Sequence, residues 1–118
     1  MTLSMADGWH RVCRADEIDD EDVVRFDLGA RTFAVYNTPS GFFATDGLCT
    51  HEEQHLADGL VIDDIIECPL HQGRFHIPTG QAKSAPVCEH LATYPVQVTD
   101  GVVYMHIADD LVHRIVFD

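Results

Sequence analysis

Two cysteines and two histidines recur as a pair within one short stretch: Cys49-Thr50-His51, sixteen further residues, then Cys68-Pro69-Leu70-His71. No other feature constrains the fold as much. If all four side chains serve one metal centre, the chain must bring two separate loops face to face. The one-residue gap in Cys49-x-His51 lets alternate side chains of an extended loop aim at the same centre. The two-residue gap in Cys68-x-x-His71 does so around a turn that Pro69 pre-shapes. The sixteen residues between allow an excursion that returns beside the first loop, and Gly73 would let backbone come close to the centre.

Several chemistries use these atoms. A Cys₂His₂ zinc site is one, but zinc fingers group Cys with Cys and His with His around a small helical unit. Here each loop carries one of each, which favours a two-iron cluster with a cysteine pair and a histidine pair. Nucleophilic catalysis by Cys49 or Cys68 would leave the duplicated pattern unexplained. His10, His55, His76, His90, His106 and His113 lack such pairing and are expected on the surface; His55 is badly spaced for an extra ligand. Cys13 and Cys88 are expected to be buried structural thiols.

The 118 residues suffice for one domain with a modest core. Twenty acidic against seven basic residues give a net charge of −13, which excludes charge-driven binding to nucleic acid or anionic membrane. Most of these carboxylates form a solvated surface, and together they steer the protein toward basic partner surfaces. No apolar run approaches the roughly 20 residues needed to span a bilayer, and residues 1–10 do not resemble a secretory signal. A cytoplasmic location is expected, where thiols bind metals rather than pair as disulfides.

The remaining pattern is all-β. Trp9 to Arg14, Val24 to Leu28, Thr32 to Asn37 and Gly41 to Asp46 read as short strands cut by Gly, Pro and Asp turns. His55 to Asp58 suggests a brief helical turn. Leu60 to Ile62 and Ile65 to Glu67 flank Asp63-Asp64, and Gly73 to His76 leaves the second loop as a strand. Lys83 to His90, with Pro86, reads as a long loop. Tyr94 to Thr99 and Val102 to Ile107 flank Asp100-Gly101, a two-residue type I′ hairpin signal. Leu111 to Phe117 reads as a last strand. These signals imply a small antiparallel sandwich or barrel.

Cys49-Thr50-His51 together with Cys68-Pro69-Leu70-His71-Gln72-Gly73-Arg74-Phe75 resembles the Rieske iron–sulfur family. The likeness continues through Thr79-Gly80 and Pro86 and spans roughly Phe43 to Val98. It implies one domain over residues 1–118, with a small cluster-binding subdomain at about 45–86 inserted in a larger antiparallel base. It also implies one [2Fe–2S] cluster per chain, with Cys49 and Cys68 on the inner iron and His51 and His71 on the outer, exposed iron.

Rieske proteins of respiratory complexes resemble this pattern but add a disulfide between the loops, where this chain has Gln54 and Leu70. They also place hydroxyl side chains where this chain has Gly73 and Phe75. Without those donors to sulfur the resemblance implies a potential near the low end of the roughly −150 to +300 mV Rieske range. A free-standing domain of this kind resembles the ferredoxins of bacterial aromatic-ring-hydroxylating dioxygenases. These are electron carriers, not enzymes, passing single electrons from an NADH-dependent flavin reductase to a terminal oxygenase. The small subunit of an NAD(P)H nitrite reductase is the alternative, and a zinc-stabilised interaction module a third. A monomer is expected. Glu52-Glu53-Gln54-His55 makes the first loop unusually acidic, which would make partner choice particular.

Overall fold

Short segments rich in β-branched and aromatic residues, each ending after two to eight positions, favour local antiparallel pairing over helix. The computed structural model describes residues 8–50, 53–70, 72–83 and 89–108. Ten strands cross them: β1 (Trp9–Arg14), β2 (Asp22–Leu28), β3 (Arg31–Thr38), β4 (Gly41–Asp46), β5 (Leu60–Ile62), β6 (Ile65–Glu67), β7 (Arg74–His76), β8 (Thr93–Tyr94), β9 (Val96–Thr99) and β10 (Val102–His106). Leu56–Asp58 is the expected helical turn, a single 3₁₀ turn. The strands form three antiparallel sheets, ordered β1-β10-β9, β2-β3-β4-β8 and β5-β6-β7. The all-β antiparallel expectation holds. The third sheet lies in the chain between β4 and β8, which are themselves paired.

Strand β3 explains why the base can carry this third sheet. Phe33, Ala34, Val35 and Tyr36 are all fully buried, because both faces of β3 are covered. Phe33 and Val35 enter one core with Cys13, Ala44, Val103, Met105 and Ile107. Ala34 and Tyr36 enter a second core with Cys49, Leu56, Ile66, Cys68, Phe75 and Ile77. The first core joins the two base sheets; the second joins the base to the small sheet. Burying each large side chain of β3 contributes about 1.5–3 kcal/mol.

Two details depart from the sequence reading and a third adds to it. Tyr94 to Thr99 is not one strand: Pro95 divides it, so Thr93 and Tyr94 pair with β4 while Val96 to Thr99 pairs with β10. Proline has no N–H for a ladder, and its carbonyl accepts from the His106 N–H at 2.9 Å. His10, His55, His76 and His106 are half-buried rather than exposed; His90 alone of the described unpaired histidines is exposed. The second loop takes its left-handed backbone at Gln72 (φ 57°), one residue before Gly73. By contrast Asp100 and Gly101 (φ 52° and 76°) form the expected type I′ turn, and Cys13 is buried and free. Cys88, His113 and the strand expected at Leu111 to Phe117 lie outside the described residues.

Tyr36 brings a hydroxyl into the second core. Its oxygen lies 2.8 Å from Thr45 Oγ1, and Thr45 Oγ1 in turn donates to the Asp46 carbonyl at 2.7 Å. Thr45 has one proton, already given away, so Tyr36 is the donor. Burial pushes the Tyr36 phenol well above its ordinary range, with Thr45 opposing. Thr45→Val should strand the buried phenol and cost about 1–3 kcal/mol. Tyr36→Phe leaves Thr45 its carbonyl acceptor and should cost less. Urea unfolding of both variants checks this order.

Candidate metal centre

Each candidate cysteine opens a six-residue loop on a hairpin. The Cys49 N–H donates to the Gln54 carbonyl at 2.9 Å, and the Cys68 N–H donates to the Gly73 carbonyl at 2.8 Å. Below the first loop Leu48 pairs with His55, and the Leu56 N–H donates to the Gly47 carbonyl at 2.8 Å. Below the second, Glu67 pairs with Arg74 and Ile66 with Phe75. Two unrelated-looking stretches therefore share one device: a short antiparallel stem, a cysteine at its end, and a loop locked by that cysteine's own backbone. The stem under Cys49 has no alternating pattern, so nothing local in its residues signals it.

Both thiols are buried, Cys49 at 5% and Cys68 at 0% exposure, in the same apolar core. Neither is in a disulfide. His51 and His71 lie outside the described residues. Two buried thiols at the ends of matched loops fit a group that takes thiolates and excludes water.

A third segment meets these loops. Residues 79–83 run back along β7, with the Lys83 N–H donating to the Arg74 carbonyl at 2.8 Å and Ala82 bridged to Phe75. The chain then returns. The Leu91 N–H donates to the Gly80 carbonyl at 2.8 Å, and the Ala82 N–H donates to His90 Nδ1 at 2.9 Å. Gly80 has φ 74° and sits against the Leu91 carbonyl, where a Cβ would clash. Thr50, inside the first loop, donates its hydroxyl to the Glu89 carbonyl at 2.8 Å. Spacing arguments pass over Thr50, yet it ties the first loop to this third segment.

Comparison with known proteins agrees with this architecture. The Rieske [2Fe-2S] domain family matches residues 8–95. The chain belongs to the Rieske family. Its cofactor is therefore a [2Fe–2S] cluster. The ferredoxin component of naphthalene 1,2-dioxygenase/salicylate 5-hydroxylase systems from Ralstonia sp. is 38% identical over 94 residues, 80% of this chain and 90% of that protein. The anthranilate 1,2-dioxygenase ferredoxin subunit of Burkholderia cepacia is 35% identical over 107 residues, 91% of this chain and 99% of that protein. Among solved structures, a complex of reduced oxygenase and oxidised ferredoxin in carbazole 1,9a-dioxygenase matches with a TM-score of 0.80. That match is 36% identical and covers 85% of this chain and 94% of the other. A nitrite reductase small subunit from Mycobacterium tuberculosis, at 18% identity and TM-score 0.74, shares the fold. With ferredoxins as its relatives, the chain is an electron-transfer protein of the Rieske ferredoxin type and not an enzyme.

In this Rieske chain the root of the first loop is clamped by Asp46, the last residue of β4. Its Oδ1 accepts from Tyr94 at 2.6 Å and from Arg31 at 2.7 Å, while Arg31 also donates to the Tyr94 hydroxyl at 3.1 Å. The Asp46 N–H donates to Ala92 and the Gly47 N–H to Thr32, so side chain and backbone fasten the same point to β3 and to the strand region before Tyr94. Arg31 also lies over the Phe33 ring, 5.5 Å from its centroid. Burial, then the bond to Asp46, pushes the Tyr94 phenol from 10.0 up to about 12, with Arg31 opposing. The unfolded chain therefore releases this proton first. The clamp's contribution is full below pH 10 and is lost as pH rises toward 12. Tyr94→Phe should remove part of the stability loss across that window, as followed by denaturant midpoints at successive pH values.

Proposed function

We propose that this ferredoxin carries single electrons from an NADH-dependent flavin reductase to a terminal ring-hydroxylating oxygenase. In this reading Cys49 and Cys68 hold the inner iron, and His51 and His71 hold the outer iron. The observation that carries it is the matched pair of hairpin loops, which buries both family-motif cysteines in one core. The names of the relatives, and the ferredoxin seated on an oxygenase in the carbazole system, support the partner classes. One domain does this, with residues 45–86 as the cluster-binding part, as a monomer in the reducing cytoplasm. A surplus of 13 negative charges works against self-association and favours basic partners.

When bound, the cluster supplies a one-electron couple between Fe³⁺Fe³⁺ and Fe³⁺Fe²⁺. The chain's own residues set the conditions for it. Cys49 and Cys68 would give thiolate sulfur from a dry core, and the locked loops would hold that sulfur still, which limits reorganisation between charge states. Gly73 has no side chain to donate to sulfur, and Phe75 is fully buried against Ile66 with no hydroxyl. Both features support a potential near the low end of the Rieske range. The nitrite reductase reading rests on a fold likeness alone.

Cys49→Ser and His71→Ala should each lose the intact cluster, since each removes one ligand of four. Absorbance and EPR of the reduced protein check this; a normal Rieske spectrum in either variant removes the ligand assignment. Phe75→Tyr places a hydroxyl in the core that holds both cysteines and should raise the reduction potential. Redox titration against wild type measures that shift, and no shift means the hydroxyl does not reach a ligand sulfur. Reconstitution with a flavin reductase and an oxygenase tests the carrier role; tight co-purification with a sirohaem subunit would instead favour nitrite reduction.

A further inference from the structure

The small sheet has one face in the second core and one face in solvent. Val61, Ile66 and Phe75, cross-strand neighbours, point inward and are buried. The outward face consists of two rows. Leu60 lies opposite Glu67 and Glu67 opposite Arg74; Ile62 lies opposite Ile65 and Ile65 opposite His76. Leu60 is 56% exposed and Ile62 45%, two of the three exposed large aliphatics among the described residues. Ile65, partly buried, completes an aliphatic corner. Such residues are unremarkable singly, but adjacent side chains on one sheet face make a patch.

Position and charge say what covers it. The row Leu60–Glu67–Arg74 is the last rung before the Cys68 loop, and the Ile62–Ile65–His76 row lies one rung further from it, at the Asp63–Asp64 turn. Near it stand the exposed Asp58 and Asp63 and the half-buried Glu67, against Arg74, whose guanidinium already pairs with Glu67 at 2.8 Å. Asp64 is turned to Ser40 instead, with one carboxylate oxygen buried. A second copy of the chain would bring the same acids against these, at a cost in like-charge repulsion. A partner with aliphatic groups inside a ring of lysines and arginines meets both the apolar centre and the acidic rim.

We infer that the outer face of β5 and β6, centred on Leu60, Ile62 and Ile65, is a docking surface for a basic redox partner. The inference rests on the electron-carrier reading and names a contact face for it. Apolar contacts at the centre hold the complex, and the acids speed its formation.

Cytochrome c, a basic protein whose exposed haem edge is ringed by lysines, serves as the probe. The reduced holoprotein is mixed with ferricytochrome c in stopped flow. One electron leaves the iron pair and reduces the haem iron, with no bond made or broken. The double variant Leu60→Ser/Ile62→Ser should lower the second-order rate constant about tenfold at low salt, the size of one good interfacial anchor. Its absorption and EPR spectra should match wild type. Val98→Ser, which removes the third exposed aliphatic from β9, should leave the rate unchanged. Equal rates in wild type and double variant overturn the docking surface and leave the carrier reading intact. Wild-type protein that forms the cluster yet passes no electron overturns both. Two other occupants would also overturn the inference. A wild-type dimer in sedimentation that the double variant abolishes would assign the face to a second copy. Faster tryptic cleavage after Arg114 in the double variant would assign it to the chain's own C-terminal segment.

Discussion

Everything in this protein hangs on a strand with no solvent side. Four consecutive buried residues on β3 send Phe33 and Val35 one way and Ala34 and Tyr36 the other. A base of two sheets alone would leave one face of β3 wet. Here the third sheet covers it, so the part that carries the cysteines is packed directly on the middle of the fold. Loosening that contact would expose aromatic surface as well as shift two loops, which couples the placement of the cysteines to global stability. Tyr36 ties this face to the neighbouring strand: its phenol must reach Thr45, and that bond is made only when β3 and β4 keep their register.

The loops themselves use backbone rather than side-chain chemistry to hold shape. Cys49 and Cys68 each donate their own N–H across the loop they begin. A backbone fixed in this way cannot shift without breaking a bond that its stem relies on. The clamp of Asp46, Tyr94 and Arg31 then fastens the first stem, and the bond from Thr50 to Glu89 fastens the loop to the segment beyond residue 88. Rigid anchorage suits an electron carrier, whose site changes charge by one and gains from changing shape little.

Much of this was legible in the residues because it is local. Strand limits at Trp9, Arg14, Gly41 and Asp46, the turn at Leu56–Asp58 and the type I′ hairpin at Asp100-Gly101 follow from patterning within a few positions. The cysteines were legible because their pairing with histidines at fixed spacing is rare. What stayed hidden depends on pairing across the fold. Pro95 looks like a flaw in one strand until its two halves are seen to serve different sheets. The left-handed backbone of the second loop sits on Gln72 (φ 57°), a residue that no local pattern marks for it. The half-burial of His55 and His106 arises from neighbours that are distant in sequence: His106 stacks edge-on against Trp9, 5.2 Å between ring centres.

Charge shows the same division between local and global causes. Arg14, Arg25, Arg31 and Arg74 each pair with a nearby carboxylate. Exposed pairs such as Arg14–Asp16 and Arg25–Asp27 add little stability, because water screens them. Their larger effect is on the field. With these arginines already matched, the unmatched carboxylates dominate the potential that an approaching protein meets. The fold therefore bears a destabilising self-repulsion that no internal packing requires. A carrier that meets a reductase and an oxygenase in turn, as proposed, would gain from it, since attraction that acts before contact speeds encounter without deepening the bound state.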